Sequence, residues 1–188
     1  MNTKALTLSL LLGAAASRVF ASDVCDHPAV VDPLDLDSFL GRWYEIAHDA
    51  GPYEGGDCVT ADYSLNDDGS IKVFNSEVLD GELSSITGQA TCQGTSGQCC
   101  VEFYAPFCAD YEVIEVVYDQ YALLYSCRPL PKNQGANTSV WILSREPELD
   151  SGILSHLEDV ITQKMPNFDL TSIQMTKQGG DCTYVDTQ

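Results

Sequence analysis

At 188 residues and 44% hydrophobic content, the chain has the size of one domain with a sizeable core. Its 28 acidic side chains against 9 basic ones give a formal charge of −19. That balance excludes a nucleic-acid or anionic-membrane binder, because phosphate contacts need clustered Lys and Arg.

Residues 1–21 read as a secretory signal: Lys4 near the start, then an apolar run from Ala5 to Ala16. Val19 and Ala21 suit the positions before a cut, so cleavage after Ala21 is expected, leaving 22–188 as the single folded domain. The run is shorter than the roughly 20 residues a spanning helix needs. No later stretch is long and apolar enough, so an exported protein without an integral membrane segment is expected. Losing Lys4 and Arg18 makes the mature chain more acidic still. Such a surface reads as solubility in an ionic exterior.

After Cys25-Asp26-His27-Pro28 comes an irregular arm, with Asp37 expected to cap a short turn over Ser38–Leu40. Strand-like segments then follow closely: 43–48, 59–65, 71–78, 84–92, 100–104, 112–118, 121–127 and 139–144. They are rich in Val, Ile, Tyr and Thr, and turn signals such as Asn66-Asp67-Asp68-Gly69 and Asp80-Gly81 separate them. Eight short strands in an up-and-down series predict an all-β, antiparallel barrel, a closure that removes exposed edges. A barrel of that size holds packed side chains or one small ligand.

One helix breaks the series. Pro147 and Asp150 open it, Ile153, Leu154, Leu157, Val160 and Ile161 share a face, and Pro166 follows it. The apolar stripe predicts packing on the outer wall of the barrel. His156 is expected to be an exposed helix residue, not a ligand. A last strand over Ser172–Lys177 leads to Cys182.

The eight cysteines at 25, 58, 92, 99, 100, 108, 127 and 182 all lie beyond the signal. An even number in an exported chain predicts disulfides. A metal site is not expected: Cys99 and Cys100 are adjacent, no C-x-x-C occurs, and His27, His48 and His156 share no ligand spacing. Asn137-Thr138-Ser139 is a glycosylation sequon in a Gly/Asn-containing stretch.

Gly41-Arg42-Trp43-Tyr44-Glu45-Ile46 opens the first strand, and Trp141-Ile142-Leu143-Ser144-Arg145 ends a late one. A Trp at one end of a closed sheet can be covered by a guanidinium from a distant strand. Trp43 and Arg145 are therefore expected to close the base of the barrel and leave the other end open.

These blocks carry a family resemblance. Leu40–Ile46, Cys58–Leu65 continuing through Gly69–Asn75, Tyr121–Cys127 and Trp141–Arg145 stand in the order found in the lipocalins, with a helix after the last. Within that family the chain looks most like the apolipoprotein D group and its bacterial and arthropod relatives. The resemblance spans Cys25 to Cys182. It departs at the family's second motif, usually Thr-Asp-Tyr, where this chain reads Val116-Val117-Tyr118-Asp119. That loop lies at the closed end in the family, so the change touches turn contacts more than ligand binding. Cys92, Cys99, Cys100 and Cys108 are extra and surround Gly94–Gln98, which reads as a hairpin tip.

The resemblance implies Cys25–Cys127 and Cys58–Cys182 bridges, each worth about 2–4 kcal/mol when unstrained. For the other four, spacing lets Cys92 cross a hairpin to Cys99 or Cys100, the remaining one reaching Cys108. A direct Cys99–Cys100 bridge is disfavoured by disulfide geometry.

The resemblance also implies a cavity for a small hydrophobic ligand, with Tyr63, Asn75, Tyr111 and Trp141 inside and Phe103 and Tyr125 as further candidates. Strand alternation adds Val73 and Glu77 to the face of Asn75, with Lys72, Phe74 and Ser76 opposite. Aromatic walls with a few polar groups suit an apolar ligand carrying a polar head. No catalytic residue, metal or cofactor is expected, and no G-x-S-x-G, H-E-x-x-H or phosphate-binding glycine loop occurs. Two other classes stay open. One is a secreted interaction or defence protein acting through its loops, the Cys92–Cys108 segment above all. The other is a lipocalin-type enzyme, resembling a thiol-dependent prostaglandin isomerase or the xanthophyll de-epoxidase; a free thiol would distinguish it from a carrier.

Overall fold

The computed structural model describes residues 24–49, 55–104 and 107–186. The expected signal and its cleavage point lie outside them. Nine strands form one antiparallel sheet: β1 (Gly41–Asp49), β2 (Asp57–Leu65), β3 (Ile71–Leu79), β4 (Glu82–Cys92), β5 (Gln98–Glu102), β6 (Ala109–Val117), β7 (Tyr121–Pro129), β8 (Ala136–Ser144) and β9 (Ile173–Met175). Each of the first seven pairs with its successor, and β8 returns to β1, which closes the barrel. The ninth strand pairs with β1 alone, with Ala47 opposite Met175.

Alternation along the strands sorts the core into two layers. Trp43, Tyr63, Val73, Ala90, Val113, Leu124 and Leu143 point inward with Phe39. Ala47, Leu123, Tyr125, Val140 and Ile142 point outward and meet the helix. That helix, α2 (Ser151–Lys164), starts where Asp150 Oδ1 accepts from the amides of Gly152 (2.8 Å) and Ile153 (3.3 Å). Leu157, Val160 and Ile161 bury its apolar stripe, and Met165 ends it before Pro166. A cap of this kind is worth about 1 kcal/mol. His156 is exposed but engaged: its Nε2 lies 2.7 Å from Glu115 Oε1 across the helix–wall seam.

Two local expectations are corrected. The first turn, α1 (Leu36–Phe39), is capped by Asp35 rather than Asp37: the Asp35 carboxylate accepts from Ser38 N (3.3 Å) and Ser38 Oγ (2.7 Å). The spacing of the acceptor from the first free amides decides this, and Asp37 falls inside the turn. Strand β5 begins at Gln98 and stops at Glu102, because Cys92 sits opposite Cys99 in the hairpin register. Tyr104 lies beyond it and is exposed. Ser76, on the outer face as alternation predicts, is nevertheless buried, its Oγ 2.9 Å from Thr60 Oγ1.

Four disulfides tie the barrel together: Cys25–Cys127, Cys58–Cys182, Cys92–Cys99 and Cys100–Cys108. The first fastens the N-terminal arm to β7. The second holds the C-terminal segment across the start of β2, where Tyr184 meets Tyr44 edge-on and Gln178 Nε2 donates to Glu45 O and Val59 O. The last two resolve the open pairing of the extra cysteines: one bridges the β4–β5 hairpin, the other ties β5 to the loop before β6.

Candidate functional site: the barrel interior

The closed end is built first. Trp43, at the start of β1, is fully buried, and its Nε1 donates to Phe39 O at 2.8 Å. Arg145, just past β8, stacks its guanidinium carbon 3.6 Å from the centre of that ring. Its nitrogens donate to the carbonyls of Tyr118 (2.8 Å), Arg42 (2.7 Å), Ser38 (2.8 Å), Phe39 (3.2 Å) and Leu40 (3.0 Å). One planar cation thus gathers the turn before β1, the β6–β7 turn and the end of β8, a task that the five donors of a guanidinium suit and an ammonium does not. Burial lowers the pKa of Arg145.

Above this plug the aromatics form a ladder. Phe39 and Tyr63 have ring centres 5.4 Å apart, Tyr63 and Tyr111 6.4 Å, Tyr111 and Trp141 6.5 Å. The Tyr63 and Tyr111 hydroxyls meet at 2.7 Å. Below that pair lies an apolar cavity of about 10 Å³, lined by Leu34, Phe39, Ile71, Ala90 and Val113 among others. Room for one water is all that volume offers, so the base of the barrel is filled by side chains.

On β3, Val73, Asn75 and Glu77 share the inward face, with Val73 opposite Tyr63 and Asn75 opposite Ala61 on β2. Val73 is buried. The Oδ1 atom of Asn75 is buried with no hydrogen-bond partner. The Glu77 carboxylate accepts from Gly56 N at 3.1 Å, near the open end. Phe103, half-buried beside the inward cluster, lies against Gly88; a Cβ there would come within 2.6 Å of the Phe103 ring and of Glu102 O. Glycine alone permits that approach.

Tyr125 does not belong to this set. Its neighbours Leu124 and Ala122 point inward, so alternation turns Tyr125 outward, beneath the helix. There its hydroxyl accepts from Asp26 N at 3.2 Å. Burial pushes its pKa up to about 12.

Sequence reasoning passed over Glu45 and His48. Both are buried, His48 Nδ1 lies 2.7 Å from Glu45 Oε1, and Thr176 Oγ1 donates to the same carboxylate oxygen at 2.5 Å. His48 pairs in register with Trp141 and Glu45 with Leu143, which places this polar cluster on the inward face of the wall. The sequence signal is a Glu-x-x-His inside a strand, and a bulge between Glu45 and Ala47 brings the two onto one face.

A filled base, a Trp–Arg plug, an eight-strand meander and an outer helix after β8 form one architecture, and it agrees with family comparison. Residues 34–178 match the Lipocalin-like domain family. The chain is a lipocalin. It is 34% identical to apolipoprotein D of Bos taurus over 176 residues, covering 91% of each protein. Against apolipoprotein D of Cavia porcellus it is 34% identical over 185 residues, 95% of this chain and 96% of that one. Among solved structures, lobster apocrustacyanin A1 superposes with a TM-score of 0.71 at 24% identity, covering 84% of this lipocalin and 92% of the other chain. Among the described residues this lipocalin has no group of three His, Cys, Asp or Glu side chains placed to hold a metal ion, and no helix long and apolar enough to cross a membrane.

Proposed function

We propose that this lipocalin is an extracellular carrier that holds one small hydrophobic ligand above the Tyr63–Tyr111 pair. The observation that carries the reading is Asn75: a buried carbonyl oxygen without a partner, on a wall otherwise made of Val73, Tyr111 and Trp141. A buried acceptor left unpaired costs about 1–3 kcal/mol. A ligand hydroxyl or N–H donated to Asn75 removes that cost, while the aromatic rungs take the apolar body. The ligand class that fits is therefore an apolar skeleton with one neutral donor, in the manner of a sterol or a retinoid alcohol. Glu77 works against a carboxylate head in the same space. Tyr63, Val73, Phe103, Tyr111 and Trp141 supply contact, and Trp43 with Arg145 keeps the floor shut.

The four disulfides suit an oxidising compartment, which supports export. They also pair all eight cysteines, which leaves no thiol for the isomerase route. Asn137 is exposed as the second residue of β8, opposite Arg128, and is accessible for glycosylation.

Native mass spectrometry of the exported protein, with organic extraction of what dissociates, tests the reading. An apolar molecule near one per chain is the expected result. A ligand-free mass, together with no quenching of Trp141 fluorescence by retinol or a sterol, would overturn it in favour of an interaction role.

A further inference from the structure

The inward face of β3 holds two acceptors that no cation answers. The Oδ1 atom of Asn75 is buried without a partner. Glu77 stands two residues further along the same face, roughly 7 Å away by the rise of a strand. It is half-buried, and among the described residues its carboxylate accepts only from Gly56 N, at 3.1 Å. Glu45, which also faces inward, is already answered by His48 Nδ1 at 2.7 Å and by Thr176 Oγ1.

The chain has no basic side chain to spare for Glu77. Every Lys and Arg beyond the expected signal lies among the described residues. Arg42 pairs with Asp62, Lys164 with Glu115 and Lys177 with Asp57, while Arg145 seals the floor. Lys72 is exposed on the outer face of β3, and Arg128 and Lys132 are exposed at the end of β7 and in the connection to β8. A carboxylate withdrawn from water without a positive partner is costly, and so is a buried acceptor without a donor. A group that answers both must carry positive charge and N–H donors together. A protonated amine does, with three donors on one atom.

We propose that the cavity takes a lipophilic primary amine, whose ammonium donates to Asn75 Oδ1 and to the Glu77 carboxylate while its hydrocarbon body lies along Tyr111 and Trp141. The inference rests on the carrier reading and extends its ligand class from neutral donors to a charged one. A hydroxyl answers Asn75 alone, whereas an alkylamine, protonated at pH 7, answers both acceptors with charge-assisted bonds. The faces of Tyr111 and Trp141 favour a cation over an anion beside them. The formal charge of −19 works in the same direction, since an acidic protein raises the concentration of cations around it.

Titration calorimetry of the oxidised protein at pH 7, in about 0.15 M salt to screen the outer surface, compares dodecylamine, 1-dodecanol and dodecyltrimethylammonium, one chain length with three head groups. Dodecylamine is expected to fill a single site and to bind about tenfold more tightly than dodecanol. The trimethylammonium keeps the charge but has no N–H, so on the unaltered protein it should bind about tenfold more weakly than the amine. Glu77→Gln should lower the affinity for dodecylamine about tenfold. Dodecanol bound with dodecylamine no tighter would overturn the amine and leave the carrier reading standing. Equal binding of the amine and the trimethylammonium, or an amine advantage that survives Glu77→Gln, would assign the attraction to the acidic surface at large and overturn the site. No binding of any of the three would take the carrier reading down with it.

Discussion

Arg145 lies 3.6 Å over the Trp43 ring and at the same time donates to five backbone carbonyls from two separate segments, 38–42 and Tyr118. The stacking and the carbonyl bonds use different parts of the same group, its face and its edge. Arg145→Ala removes both and is expected to cost about 2 kcal/mol in a urea melt. Arg145→Lys keeps the charge but loses the fork, and should recover less than half of that. Ligand affinity of the folded Arg145→Ala protein should stay within about twofold, since the plug lies beneath a filled base. Full stability with lost binding would reverse the assignment.

The disulfides should contribute unequally. Cys58–Cys182 spans 124 residues and Cys92–Cys99 only 7. Loop-closure entropy gives about 4–5 kcal/mol for the first and about 2 for the second. Paired Cys→Ala variants compared by denaturant midpoint should keep that order. An equal loss would mean that strain or residual structure, rather than chain entropy, governs the bridges.

Much of this architecture is legible in the sequence because barrel strands alternate and turns announce themselves. Trp43, Arg145, Val73 and Asn75 fall on the faces that their spacing dictates. Tyr125 does not follow from type alone: its residue kind suits a cavity, but Leu123, Tyr125 and Cys127 form the outer row of β7. The Glu45–His48 pair escaped because a three-residue spacing puts two strand residues on opposite faces unless a bulge intervenes. Only pairing partners reveal that bulge. The short β5 likewise depends on which cysteine crosses the hairpin, a choice local sequence leaves open.

Tyr125 gives a prediction at high pH. Its folded pKa is raised to about 12 from an ordinary 10.0 by burial. The unfolded chain therefore releases this proton first. The stability this neutral phenol supplies is complete below pH 10 and is lost as pH rises toward 12. Tyr125→Phe lacks the group and loses the bond from Asp26 N, about 1 kcal/mol at neutral pH. Its stability should fall less steeply than the parent's between pH 10 and 12, by the equivalent of about one proton. Parallel alkaline limbs would contradict the burial of the phenol.

Glu112 gives a second case of the same sign, on a carboxylate. Burial first, and the Asp110 charge second, raise its pKa in the folded protein. Raised means that the folded state prefers the neutral acid, so stability is greatest below the ordinary carboxylate value and declines as pH climbs through the folded one. Glu112→Gln removes that decline. The variant should match the parent in acid and exceed it at pH 7, half-burial limiting the gain. A difference that is the same at every pH would show that the effect is not electrostatic.

If the proposed carrier role holds, ligand choice is expected to turn on Asn75 and Glu77, two positions apart on the inward face of β3. A neutral hydroxyl entering above Tyr111 can donate to Asn75 Oδ1, whereas a fatty-acid carboxylate cannot donate and must also face the Glu77 carboxylate. At pH 7, retinol or a sterol should therefore bind about tenfold more tightly than a fatty acid of similar length, read by quenching of Trp141. Glu77→Gln should raise fatty-acid affinity and leave the alcohol's unchanged. Asn75→Leu should do the reverse, weakening the alcohol while sparing the acid. Equal affinities for acid and alcohol in the parent protein would sink the selectivity, and a loss of both in Asn75→Leu would show that Asn75 shapes the wall rather than reads the head group.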